Sequence, residues 1–203
     1  EHLGAIVSGA VISNLRFADD IATLAESSSG LQDLVTNISN EGSRMGLHVN
    51  TAKTETQCFS RQNQVIRLSI NNVALQQVER FVYLGGTITS GNSSTEDITR
   101  RIGLATGAVR SLQTIWQSKI VAVDTKILLY KSLILSVLLY NAETWCLREA
   151  DKNKLRVFEM SVLRRIGGFS LRDRRHNESI RDGLGLEADV VQTVQQRRLT
   201  YFG

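Results

Sequence analysis

Leu15-Arg16-Phe17-Ala18-Asp19-Asp20-Ile21-Ala22-Thr23-Leu24 sets two short β-prone runs on either side of an adjacent acid pair. Residues 11–17 partly alternate, residues 21–24 are apolar, and aspartates favour turns, so the segment predicts strand, tight acidic turn, strand. Downstream, Leu31, Leu34, Val35, Ile38 and Met45 fall on one face at helical spacing. Residues 27–29 are serines that can cap this helix, and Gly46 ends it. Residues 47–49 and 54–59 then predict short strands around an Asn50-to-Lys53 loop. A hairpin follows, from 66–70 through an Asn71-Asn72 turn to 73–78, and then a strand over 81–88. The Gly85-Gly86 pair inside that strand suits close approach by another backbone or a ligand.

The period changes in the second half. Ser93-Ser94-Thr95-Glu96 has the form of a capping box, and Ile98, Ile102, Ala105, Val109, Leu112 and Trp116 predict one long helix. Asp124 can cap a second helix through Ile127, Leu128, Ile134, Leu135 and Leu138. A third, after Asp151, shows Leu155, Phe158, Val162 and Ile166 before Gly167-Gly168. Lesser helices are expected over 177–184 and 188–199. The predicted fold class is α+β: antiparallel strands with one packed helix over 1–90, a three-helix bundle over 91–168, and a basic helical extension over 169–203.

Composition narrows the function. With 203 residues, 42% hydrophobic and 22% charged, the chain can bury a core. Proline is absent, which excludes collagen and polyproline ligands. No apolar run approaches the ~18 residues of a membrane span, so no membrane partner is expected. The start, Glu1-His2-Leu3, has neither the basic region nor the apolar stretch of a secretory signal, and predicts a piece of a longer polypeptide. Two cysteines, Cys58 and Cys146, are too few for a disulfide framework and read as reduced intracellular thiols. His2, His48 and His176 show no zinc-ligand spacing. Charge divides the chain: through Arg100 there are 7 Lys+Arg against 10 Asp+Glu, and from Arg101 onward 17 against 10. A basic C-terminal half is the footprint of a polyanion partner, or a solvated helical surface.

Adjacent carboxylates at a hairpin tip offer the hard oxygen ligands that Mg²⁺ prefers, although aspartate is also ordinary turn chemistry. Order and spacing add to this. Phe17-Ala18-Asp19-Asp20 resembles the catalytic hairpin of reverse transcriptases, and Gly46-Leu47-His48-Val49-Asn50 with Lys53-Thr54 resembles the palm motifs that follow it. Phe81-Val82-Tyr83-Leu84-Gly85-Gly86 resembles the primer-grip hairpin. Residues 138–145, with Phe158-Glu159-Met160 and Leu163-Arg164-Arg165-Ile166, resemble the thumb region of non-LTR, LINE-type retrotransposon polymerases, and Arg197-Arg198-Leu199-Thr200-Tyr201-Phe202-Gly203 a segment just beyond it.

The resemblance implies RNA-directed DNA synthesis with Mg²⁺ as cofactor and an RNA template, a DNA primer and a dNTP as partners. It implies Asp19 as metal ligand, Asp20 as supporting carboxylate, Lys53 near the triphosphate, and Tyr83, Leu84 and Gly85 in the primer grip. It also implies a further metal carboxylate and template-gripping fingers upstream of Glu1, so the isolated chain is expected to be inactive. In the basic half, Arg164, Arg165, Arg172, Arg174, Arg175 and Arg181 surround Gly167-Gly168 and suit phosphate oxygens, or complement helix C-termini. Trp116, Trp145, Tyr140 and Phe158 sit in apolar stripes and predict core packing. A nucleic-acid-binding module without chemistry and a decayed transposon remnant are the competing readings.

Overall fold

The computed structural model describes residues 4–60, 64–91 and 93–203. The chain forms two compact units, Glu1–Phe81 and Val82–Gly203. The architecture is mixed helix and strand, in line with the α+β patterning.

In the first unit β1 (Ala5–Val7) pairs antiparallel with β2 (Ala10–Ile12), and β3 (Asn14–Phe17) with β4 (Asp20–Thr23). Phe17 lies opposite Asp20, which leaves a two-residue loop, Ala18-Asp19. Strand, acidic turn and strand are therefore present as expected, with Asp20 already inside β4. The helix α1 (Ser28–Arg44) is N-capped by Ser27, whose hydroxyl accepts the Gly30 N–H at 3.1 Å. Gly46 leaves its C-terminus at φ +75°, a left-handed conformation that glycine adopts without strain. Leu31 and Val35 from α1, with Val49, pack on a small core of Leu68, Ile70 and Leu75. The Gln32 side-chain amide bonds both the N–H and the C=O of Ser69, at 2.9 and 2.8 Å, and so behaves like a strand edge.

Short pairings complete this unit. β6 (Ser69–Ile70) and β7 (Val73–Ala74) form the expected hairpin, with Asn71 and Asn72 at φ +49° and +64°, as a type I′ turn requires. β5 (Glu55–Thr56) pairs with β8 (Gln76–Gln77) in parallel, which departs from the all-antiparallel expectation. Residues 47–49 form no strand, and 54–59 contract to β5. Apolar residues become strand only where a neighbour completes the ladder, and here Val49 serves as a core side chain instead. Among the described residues every sheet has two strands.

The second unit begins inside β9 (Arg80–Tyr83), which pairs with β10 (Gly86–Thr89) across a Leu84-Gly85 turn. The single strand expected over 81–88 is thus a hairpin. The helices are α2 (Thr95–Ser111), α3 (Gln113–Gln117), α4 (Val123–Leu129), α5 (Leu135–Leu138), α6 (Glu149–Gly167), α7 (Asn177–Gly183) and α8 (Val190–Phe202). The predicted first long helix breaks at Leu112, because the Trp116 indole N–H turns back to the Val109 carbonyl at 2.8 Å and satisfies a helix-end acceptor. The predicted second helix is interrupted by a π-helical turn, Tyr130–Ile134.

Two cap expectations and one helix start need correction. Ser94 is the N-cap of α2 but makes no side-chain cap bond; its hydroxyl accepts the Cys146 N–H at 2.9 Å. Asp124 lies in the first turn of α4, behind an Ala122 cap. Asp151 lies inside α6, buried, and accepts the Thr95 hydroxyl at 2.9 Å.

One core joins all these helices. Ile98, Ala105 and Val109 from α2 meet Trp116, Ile134, Leu138, Trp145, Leu155, Phe158, Val162 and Leu163, and Ile180, Val190 and Val194 from α7 and α8 complete it. Cores of this kind stabilise through apolar area removed from water, about 25 cal/mol per Å². Cys58 and Cys146 are both free thiols. Among the described residues no helix is long and apolar enough to cross a membrane.

Candidate functional site

The Asp19 tip is fully offered to solvent. Every residue from Leu15 to Ile21 is exposed, including Phe17 at 62%, and Ala18 holds φ +50°, a strained value for a residue with a Cβ. Among the described residues neither Asp19 nor Asp20 is ion-paired. Two unpaired oxygen-donor side chains fit part of a Mg²⁺ site, since Mg²⁺ is commonly held by one or two carboxylates together with substrate phosphates. No group of three or more His, Cys, Asp or Glu able to hold a metal occurs among the described residues. Lys53 is exposed on a turn gathered by Asn50, whose carbonyl accepts the N–H of Lys53 and of Thr54 at 3.1 and 3.0 Å. No bond among the described residues joins Lys53 to Asp19 or Asp20.

Tyr83, Leu84 and Gly85 lie at the β9–β10 turn, which the second unit fastens from behind. The Gly85 carbonyl accepts from Arg100 Nη1 at 3.1 Å and from Arg101 Nη2, and the Leu84 carbonyl accepts the Tyr140 hydroxyl at 3.0 Å. The Arg101 guanidinium lies 4.3 Å from the Tyr140 ring centroid, a cation–π contact. Asp97 is buried; its Oδ1 accepts Thr87 N–H at 3.0 Å and its Oδ2 accepts the Trp145 indole N–H at 2.8 Å. Burial pushes the Arg101 guanidinium below its usual range, and Asp97 opposes the shift.

Gly85 is called for by its left-handed backbone, while Gly86 leaves room for the movable end of the Asn141 side chain. A Cβ on Gly86 would stand 2.4 Å from Asn141 Nδ2, and one on Gly85, at φ +77°, would stand 3.3 Å from the Tyr140 ring. Leu84 itself holds φ +46°, which costs roughly 1–2 kcal/mol for a residue with a Cβ.

Tyr140 corrects the core expectation: it is half exposed and acts through its hydroxyl and ring face, whereas Trp116, Trp145 and Phe158 are buried. Asp97, Arg101 and Asn141 did not stand out as site residues in the sequence. The available signal was Arg101 falling on the apolar face of Ile98, Ile102 and Ala105, where an unpaired charge has no place.

The arginine cluster divides into engaged and free members. Helix α6 ends on Gly168 at φ +70°, with Phe169 N–H returning to the Arg164 carbonyl at 2.8 Å. Arg164 ties the following loop, donating to Asn177 Oδ1 at 2.9 Å and the Arg175 carbonyl at 3.3 Å. Arg165 reaches Gln113 Oε1 at 3.2 Å, and the Arg175 guanidinium covers the Phe169 ring at 4.3 Å. Arg181 is drawn inside, 3.4 Å from Glu159. Arg172 and Arg174 are exposed, with no ion pair among the described residues, on a turn capped reciprocally by Ser170 and Asp173.

The second unit also holds a buried ionic cluster. Glu159 faces Arg181, Asp189 and the Tyr130 hydroxyl, and Asp189 is bound by Arg156 Nε at 2.9 Å. Burial pushes the Glu159 carboxyl up from 4.5 to about 7, Arg181 opposing and Asp189 adding to the shift. Burial also pushes the Tyr130 phenol up, with Glu159 adding to it. Burial works against ionisation of Asp189, but bonds from Gln192 N–H and Arg156 outweigh it and hold that carboxyl low.

No protein family matches the chain, and no solved structure matches it. An uncharacterized transposon-derived protein of Caenorhabditis elegans is 26% identical over 97% of this chain and 72% of its own length.

Proposed function

We propose that this chain is part of an RNA-directed DNA polymerase of the non-LTR retrotransposon type, carrying the end of its palm and a thumb-like unit that grips nucleic acid. The observation that carries this reading is the solvent-exposed Ala18-Asp19 tip, a strained two-residue loop within motifs that run in reverse-transcriptase order. Similarity over nearly the whole chain to a transposon-derived protein supports a transposon-related origin.

In the proposed reaction the primer 3′ oxygen bonds to the α-phosphorus of a dNTP as the bond to pyrophosphate breaks, the hydroxyl proton passing to solvent. Bound Mg²⁺ supplies Lewis-acid stabilisation of the charge that builds on the phosphoryl oxygens. Asp19 would hold the ion and Asp20 would support it. Lys53 would neutralise or protonate the leaving pyrophosphate. The resemblance implies a further metal carboxylate from another strand, so the isolated chain should be silent.

The test has two arms. Purified chain with Mg²⁺, dNTPs and a primed RNA template should give no extension; robust extension would overturn the incompleteness of the site. In a polypeptide that adds the complementary carboxylate strand, extension should appear and Asp19→Asn should abolish it. Retained synthesis in that variant would remove Asp19 from the metal site. A module that binds nucleic acid without chemistry is the second reading, favoured by the free arginines of the separate second unit.

A further inference from the structure

Three costly features meet at one turn. Leu84 is left-handed, Arg101 is only 7% exposed, and Asp97 is buried with both oxygens engaged. Asp97 also serves the helical core through the Trp145 indole, but the left-handed Leu84 and the Arg101 grip on the tip are not needed to close the hairpin, since an ordinary Asn-Gly turn would do so without strain. What the arrangement achieves is orientation. The Leu84 and Gly85 carbonyls are both held by side-chain donors of Tyr140, Arg100 and Arg101, which fixes the two peptide planes of the tip. Exposed on the hairpin are the apolar side chains of Val82, Leu84 and Ile88, with the Arg100 side chain 40% exposed beside them. That surface suits the sugar faces and phosphates of a nucleic-acid strand, because carbonyl oxygens already engaged by cationic and hydroxyl donors repel a phosphate less than free ones would.

We propose that Asp97, Arg101 and Tyr140 are positioning residues that lock the Leu84-Gly85 turn, so that its outward face meets a nucleic-acid strand in one fixed orientation. Asp97 sets the base of the hairpin through Thr87 N–H and balances the buried guanidinium; Arg101 and Tyr140 hold the tip itself. The proposal rests on the nucleic-acid reading above and adds the residues that prepare the contact. None of the three needs to touch the strand.

The test uses the full chain, a fluorescent RNA–DNA duplex, hydrogen exchange across 82–88, and urea unfolding followed by tryptophan fluorescence. Tyr140→Phe keeps the ring under Arg101 and removes one bond; Arg101→Lys keeps the charge and removes the planar fork. Both should raise exchange at the turn about fivefold or more while leaving the urea midpoint near wild type. Duplex affinity should fall about fivefold with the salt slope unchanged, because the turn loses its orientation while the same phosphates stay neutralised. Wild-type affinity in both variants despite faster exchange would overturn the proposal and leave the nucleic-acid reading standing. Unchanged exchange in both would overturn it too. A wild-type chain that binds no duplex would instead refute the nucleic-acid reading on which the proposal rests.

Discussion

Raising the pH from 5 to 7.5 should destabilise the second unit, and Glu159 is the reason. Its carboxyl is 2% exposed and pushed from 4.5 to about 7 by burial. The folded chain therefore holds a proton that the unfolded chain releases above 4.5. Stability from this group is fully present below 4.5 and is lost as pH rises through 7. A tenfold change in proton affinity is worth about 1.4 kcal/mol, so the window spans roughly 3 kcal/mol in all.

Other shifted groups titrate elsewhere: Asp189 is held below its ordinary 3.8 and Tyr130 well above 10.0. The alternative is that Arg181 offsets the burial of an ionised Glu159. Breaking a buried pair by removing one partner costs about 3–5 kcal/mol when the survivor is stranded. Here Arg181 Nε stands 3.4 Å from Glu159 Oε2 without hydrogen-bond alignment, and Asp189 remains to face the guanidinium. Desolvation should win. The assay is urea unfolding at a series of pH values, read by fluorescence of Trp116 and Trp145. They are the chain's 2 tryptophans and both are buried in this unit, at 2% and 1% exposure. Glu159→Gln should match wild type at pH 5, exceed it at pH 8, and lose the slope between. A flat wild-type profile, or a glutamine variant less stable than wild type at pH 8, would refute the reasoning.

Gly86→Ala should change the stability of the second unit by less than about 1 kcal/mol, because the close contact is with the amide end of the exposed Asn141 side chain, which can swing aside; a larger loss by urea midpoint would show that amide to be held in place. Asp97→Ala strands the Trp145 indole N–H and the Thr87 N–H and should cost about 2–4 kcal/mol by urea midpoint. Asp97→Asn, which can still accept one of those bonds, should cost less. Changing Arg172, Arg174 and Arg175 to Ala should lower the log–log salt slope of duplex binding by roughly 0.9 for each phosphate these arginines neutralise, with circular dichroism unchanged. Superimposable slopes from two folded proteins would eliminate that loop as the phosphate grip.

Local patterning was legible in the sequence wherever a residue acts through its own neighbours. The acidic turn, the Ser27 cap, the Asn71-Asn72 turn and the stripes of α2 and α6 follow from side-chain period and turn chemistry, which depend on a few adjacent residues. The Asp19 tip belongs to this group, since its exposure is a property of a two-residue loop.

What depends on distant partners was decided by the tertiary structure alone. Ladder pairing ended the strand at 47–49, paired β5 with β8 in parallel, and split 81–88 into a hairpin, because backbone groups must find acceptors that sequence patterning does not specify. Tyr140 changed from a core residue into a clamp because its hydroxyl meets Leu84, 56 positions away. The arginines look alike in sequence; only three-dimensional contact engages Arg164 and Arg181 internally and leaves Arg172 and Arg174 to solvent. Charge is written in the sequence, whereas desolvation and reach, which decide what a charge can do, exist only once the chain has folded.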